Sequence, residues 1–219
     1  MTKPSVSDVG VLDKAMAIVS AVQSEPLALA GLVAATGFHR ATAHRLATAL
    51  EAHNVLSRDS RGRFILGPRL VELGRMATDG FPLRDLARPA LEGLVTDTGE
   101  SAQLYVRDGD QRVCLDMVES PHGLRTIVAV GAALPLDRGS AGRILLRDPS
   151  GLRRGWVESV GEREPGVASV SAPVIDDHGE IRAAVSVSGP ISRTTRSPGA
   201  KYSSAVMAAA RAIESAAGW

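Results

Sequence analysis

The chain has 219 residues, 44% hydrophobic and 22% charged, which excludes a disordered polymer and is enough for two small domains. A single cysteine, Cys114, excludes an internal disulfide and fits a reducing, cytoplasmic setting. No run of roughly 18 apolar residues is present to span a membrane, and residues 1–10 carry no signal-peptide pattern. The formal net charge of +1 hides an asymmetry: residues 1–78 hold 9 Lys/Arg against 6 Asp/Glu, whereas the rest hold 16 against 18.

Residues 8–23 place Val11, Leu12, Ala15, Ile18, Val19 and Val22 on one helical stripe. Ser24-Glu25-Pro26 stops that helix. A short helix over 29–36 follows, with Leu29, Leu32 and Val33 inward and Gly37 where a left-handed C-terminal residue is wanted. A third helix over 40–53 buries Ala43, Leu46, Ala47 and Leu50 and turns Arg40, Ala41, His44, Arg45 and Thr48 outward. Three short helices with a Gly turn before the third match the helix-turn-helix pattern. Residues 55–58 and 63–66 then flank Asp59-Ser60-Arg61-Gly62 as a β-hairpin carrying Arg58, Arg61 and Arg63. A basic hairpin after such a helix reads as a wing. Another helix is expected over 68–76, and 78–82 (Thr-Asp-Gly-Phe-Pro) is the expected domain break.

The second half begins with a helix over 83–98 and continues with strands. Residues 101–107 and 112–119 flank Asp108-Gly109-Asp110 as a hairpin, and 124–130 reads as a further strand. Gly139-Ser140-Ala141-Gly142 opens a short helix. Residues 168–175 and 181–188 flank Asp176-Asp177-His178-Gly179 as another hairpin, and a helix over 201–217 ends the chain. The mixture implies an α+β fold with an antiparallel sheet. The expected domains are 1–67 (DNA-binding), 68–82 (linker helix) and 83–219 (sensing).

A helix fits the DNA major groove and presents its N-terminal residues to base edges. Those residues are His39, Arg40, Ala41, Thr42 and His44, while Arg45, Arg58, Arg61 and Arg63 suit phosphates. The plainer reading of the same cluster is a solvated basic face. Ser169 and Ser171 lie two apart and share a sheet face, as do Ser186 and Ser188. Their hydroxyls suit a small carboxylate, amide or amino acid; the alternative is ordinary solvent-facing serines. Cys114, between Val113 and Leu115, reads as a buried structural thiol. His122 and His178 lack neighbouring ligands for a metal, and no metal or cofactor is expected. Gly139-Ser140-Ala141-Gly142 is no nucleophile elbow, though its amides could accept an anion.

Several stretches resemble IclR-type transcriptional regulators: residues 11–15 (VLDKA) through 29–37 (LAGLVAATG), then 42–46 (TAHRL) and 62–67 (GRFILG), and in the second half 183–190 (AAVSVSGP). Residues 161–173 (GEREPGVASVSAP) are similar to an actinobacterial branch that regulates leucine and other amino-acid biosynthesis. The resemblance implies a winged helix-turn-helix, a linker helix and a profilin- or GAF-like effector domain. It also implies homodimers or tetramers on operator DNA and control by a small-molecule effector, an amino acid or keto acid. The implied effector residues are Thr126, Gly139, Ser140, Ala141, Ser169, Ser186 and Ser188. Against that pattern, the chain is short by about a helix between Leu146 and Gly155. Two competitors remain at this level. A small-molecule enzyme with an accessory winged helix lacks a paired acid and base, a metal cluster or an activated nucleophile. A protein-binding winged helix has no need of three hairpin arginines.

Overall fold

The computed structural model describes residues 9–79 and 82–219, and the chain divides into two units, Met1–Gly80 and Phe81–Trp219. The expected start of the first helix at Asp8, and Gly80 and Phe81 of the expected domain break, lie outside the described residues.

The first unit contains α1 (Gly10–Ser24), α2 (Leu29–Thr36), α3 (Arg40–Ala52), β1 (Leu56–Arg58), β2 (Phe64–Leu66) and α4 (Pro68–Asp79). Gly37 ends α2 in the left-handed conformation at φ +70°, and its amide donates to the Val33 carbonyl. A side chain there would be strained, so the turn into α3 depends on glycine. The antiparallel β1–β2 hairpin aligns Leu56 with Leu66 and Arg58 with Phe64. Leu27 exchanges backbone hydrogen bonds with Phe64 (3.0 and 2.8 Å), tying the segment before α2 to the hairpin. The core joins Ile18, Val22, Leu32, Leu46, Ala47, Leu56 and Phe64. Each large side chain buried there contributes about 1.5–3 kcal/mol. The expected α1 stripe is only half used: Ile18 and Val22 are buried, but Val11 and Leu12 are 62% and 53% exposed. The helices and hairpin that pack on α1 cover its second half alone.

The second unit contains α5 (Pro82–Thr98), β3 (Ser101–Asp108), β4 (Gln111–Val118), β5 (Ala133–Pro135), α6 (Ser140–Leu145), α7 (Pro149–Arg154), β6 (Val157–Val160), β7 (Val167–Ile175), β8 (Ile181–Pro190), α8 (Ile191–Thr194) and α9 (Pro198–Ala217). Six antiparallel strands run in the order β5-β4-β3-β8-β7-β6. Strand alternation sends Ala102, Leu104, Val170, Ala172, Val185 and Val187 to one face, where α5 and α9 cover them with Leu91, Leu94, Tyr202, Val206 and Ile213. The opposite face carries Gln103, Tyr105, Ser169, Ser171, Ala184, Ser186 and Ser188, and α6 lies over it.

Residues 124–130 do not form the expected strand. Beyond Val113 the free edge of β4 is occupied by single contacts, not a ladder. The Cys114 amide donates to the Ala132 carbonyl (3.0 Å), and the Gly131 amide donates to the Cys114 carbonyl (2.8 Å). Thr126 and Val128 are buried, while Leu124, Ile127 and Val130 remain exposed. Between Leu146 and Gly155 stands the six-residue α7. Asp148 caps it by accepting the Ser150 and Gly151 amides, and Gly155 ends it in the left-handed conformation. Among the described residues, no helix is long and apolar enough to cross a membrane.

Candidate nucleic-acid interface and ligand cavity

In the first unit the candidate surface is built by α3 and the hairpin. Burial of Ala43, Leu46 and Ala47 fixes the rotation of α3, and leaves His39, Arg40, Ala41, His44 and Arg45 exposed, with Thr42 half-buried. Arg40, Ala41 and His44 line a recess together with Leu29 of α2.

The three hairpin arginines are not equivalent. Arg58 donates through Nε to both Glu51 carboxylate oxygens (2.9 and 3.2 Å), donates to the Gly62 carbonyl (3.1 Å), and stacks 4.1 Å from the Phe64 ring centre. Arg63 pairs with Asp59 through Nε (2.7 Å) and Nη2 (2.6 Å). Asp59 also accepts the Arg61 and Arg63 amides, at 2.9 Å each. These contacts, above all the Arg63 amide, hold its carboxyl below the usual carboxylate range. Arg61 is exposed at the tip. Among the described residues Arg40, Arg45 and Arg61 have no carboxylate partner, so three uncompensated cations lie on one unit of the chain.

In the second unit the serine rows meet. Ser169 pairs in register with Ser188, and Ser171 with Ser186, across β7–β8. Ser140 Oγ lies 2.7 Å from Ser169 Oγ and 2.8 Å from Ser171 Oγ, and Ser171 Oγ donates to Ser186 Oγ at 2.9 Å. Gly142 lets α6 lie close against the Leu136 carbonyl and the Arg112 guanidinium, with which a β-carbon there would clash. Gly139, Ser140, Ala141, Ser169, Ser186 and Ser188 line one cavity with about 20 Å³ of free space, room for about one water. Thr126 does not line it; its carbonyl accepts the Ser101 hydroxyl at 2.7 Å. The Gly139 amide is already used, donating to the Glu162 carboxylate at 2.9 Å.

The cavity also contains Gln103, Tyr105, Arg112 and Arg163, which the sequence reading did not single out. For Gln103 the signal exists, since it is a polar residue amid the apolar run from Ala102 to Val106. Its carbonyl accepts the Ser188 hydroxyl at 3.0 Å. Arg112 is 2% exposed. Its Nη1 donates to the Pro135 and Arg138 carbonyls, and burial lowers its pKa. Arg163 is mostly buried, with Glu164 at 3.7 Å. Burial also raises the Tyr105 phenol and pushes the Cys114 thiol up to about 12, so Cys114 is the structural thiol expected of it. No cluster of three metal-ligating side chains occurs among the described residues.

Two family profiles match the chain. One, described as the IclR helix-turn-helix domain, covers residues 11–60. The other, described as the bacterial transcriptional regulator IclR C-terminal, covers residues 76–148 and 151–215. The chain is 27% identical to the HTH-type transcriptional regulator KipR of Bacillus subtilis, over 83% of this chain and 86% of that protein. An IclR transcriptional regulator from Alicyclobacillus acidocaldarius superposes with a TM-score of 0.81 at 21% identity, over 96% of this chain and 99% of that one. An IclR homologue from Microbacterium hydrocarbonoxydans, solved in complex with 4-hydroxybenzoate, has a TM-score of 0.77 at 22% identity, covering 94% of this chain and 98% of that one.

Proposed function

The chain belongs to the IclR family of bacterial transcriptional regulators, and on that footing we propose that α3 reads operator DNA under the control of a small polar metabolite held in the second unit's cavity. The family's members are DNA-binding regulators and not enzymes. The observation that carries the reading is the exposed α3 face, where Arg40, His44 and Arg45 are offered without competing acids. His39, Arg40, Ala41, Thr42 and His44 are assigned to base edges. Arg45 and the hairpin, acting as a wing, are assigned to phosphates.

The cavity residues from Gly139 to Ala141, with Ser169, Ser186 and Ser188, are assigned to the effector. The Microbacterium homologue's 4-hydroxybenzoate complex supports a small-molecule ligand. Exposed apolar side chains on α1 (Val11, Leu12, Met16) and α4 (Val71, Leu73, Met76) support self-association of the first unit as a homodimer or tetramer. Regulation of leucine or other amino-acid biosynthesis rests on the similarity of residues 161–173 alone. The test is selection of bound sequences from random duplexes by the full chain. Enrichment of one motif is expected, and retention without sequence preference would refute the reading.

A further inference from the structure

Free space of about 20 Å³ in the second unit's cavity holds about one water, so an organic molecule enters only if a wall moves. Most of the walls are fixed. Tyr105, Ser169, Ser186 and Ser188 belong to β3, β7 and β8, at the hydrogen-bonded centre of the six-stranded sheet. Gly139, Ser140 and Ala141 open α6, which buries Ile144 and Leu145 in an apolar cluster with Val157 and Ala184. Displacing either wall would break a ladder or a packed core.

The remaining wall is the connection between β6 and β7, residues 161–166, which turns Arg163 into the cavity. It is built differently. Arg163 is half-buried, and Gly161, Glu162, Glu164, Pro165 and Gly166 are all exposed. The segment begins and ends on glycines in the left-handed conformation, Gly161 at φ +72° and Gly166 at φ +86°. No atom stands within 4 Å of where a β-carbon would sit at either position, and glycine adopts both signs of φ with similar ease. Both ends are therefore able to pivot. The hold on α6 is a single carboxylate: Glu162 accepts the Gly139 amide at 2.9 Å and lies 3.8 Å from Arg143 Nη1. Arg163 has its ion contact with Glu164, which moves with it. At the far end the Gly166 carbonyl accepts the Ile191 amide at 2.8 Å, which anchors the hinge to the start of α8.

We infer that residues 161–166 are a lid over the cavity, hinged at Gly161 and Gly166 and latched to the start of α6 by Glu162. The inference takes the cavity as the effector site and adds how that site is reached. While Glu162 holds the Gly139 amide, Arg163 fills the mouth. When Glu162 lets go, the lid carries Arg163 outward and the serine rows meet solvent. Opening breaks one charge-assisted hydrogen bond and one exposed ion contact, and exposed ion contacts are weak. It uncovers no apolar core, so the lid opens while the domain stays folded.

The test is cysteine labelling of the full chain without any ligand. Cys114→Ala removes the native thiol, and Ser188→Cys places one in the cavity. Labelling by methyl methanethiosulfonate is followed by mass, and global stability by denaturant unfolding. The thiol should react far more slowly than in the unfolded chain, yet faster than global unfolding allows. Adding Glu162→Ala should raise the native labelling rate by about tenfold to a hundredfold, the range for a hydrogen bond to a charged group, with global stability unchanged. Glu162→Gln keeps an acceptor oxygen without the charge and should fall between. Ser186→Cys is a second reporter on the same face and should respond alike. The lid is refuted if the cavity thiol reacts as fast as in the unfolded chain, or if Glu162→Ala leaves the rate unchanged. It is equally refuted if the rate rises only in step with lost global stability, or at one reporter alone. Because labelling needs no ligand, failure here removes the lid and leaves the effector assignment to the ligand-response assay; failure of that assay removes the assignment and leaves the labelling result standing.

Discussion

Neutralising Arg61 should cut the salt dependence of duplex binding, whereas neutralising Arg58 or Arg63 should change it far less. The difference lies in the neighbouring carboxylates. Arg58 shares its charge with Glu51 at 2.9 Å and Arg63 with Asp59 at 2.6 Å, while Arg61 has no carboxylate partner among the described residues. Each phosphate neutralised contributes about 0.9 to the log–log salt slope. Arg61→Gln should therefore lower the slope by about 0.9 per bound chain. Over a fourfold rise in salt, wild type should lose about 3.5-fold more affinity than the variant for each such contact. Arg58→Gln and Arg63→Gln should lower the slope by less than half that amount. Glu51→Gln, which releases Arg58, should raise it. The assay is fluorescence anisotropy with a labelled duplex across the salt series, with melting temperatures confirming that these surface variants fold. An equal drop for all three arginines would refute the claim that ion pairing withdraws two of them. No drop for Arg61 would remove the hairpin tip from the interface.

Three further outcomes follow from the second unit. Ser188→Leu fills the cavity beside Gln103 and should abolish ligand response while leaving ligand-free duplex binding at the wild-type level; a full response would place the effector elsewhere. Arg193→Ala strands the Glu100 carboxylate, whose side chain is 2% exposed and bonded to Arg193 Nε and Nη2 at 2.7 and 2.8 Å. It should cost about 3 kcal/mol in denaturant unfolding, and a loss below about 1 kcal/mol would contradict the burial argument. Cys114, with its thiol pushed up to about 12, should have a thiolate fraction near pH 8 of about one in ten thousand. It should resist alkylation in the native protein and react once unfolded, and rapid native labelling would mean the strand opens.

Much of the first unit is legible because helical spacing and turn chemistry agree. Ala43, Leu46 and Ala47 set the inward side of α3, and Gly37 marks the turn before it. The charge states of the hairpin were not legible, since which of three arginines is paired depends on where Glu51 and Asp59 fall in space. In the second unit the two-residue serine spacing places Ser169, Ser171, Ser186 and Ser188 on one sheet face, and the strand register joins them. Residues 124–130 mislead because β-branched content alone does not provide a free ladder partner. β6 and α7 are short, and α7 has only Leu152 as a large apolar side chain, so periodicity is silent there. The Asp148-Pro149 start and Gly155 stop are the usable signals. Arg112 was beyond reach, because an arginine at a strand start reads as exposed until the chain from Pro135 to Gly142 folds over it.

Whether the exposed face of α3 reads DNA sequence is decided by parallel selection from random duplexes by wild type and Arg40→Ala. An arginine paired to a guanine is worth about 1–3 kcal/mol of discrimination. Wild type should enrich one motif, and Arg40→Ala should enrich the same motif with preference lost at one or two positions. Failure of wild type to enrich any motif, or identical motifs from both proteins, would contradict the account.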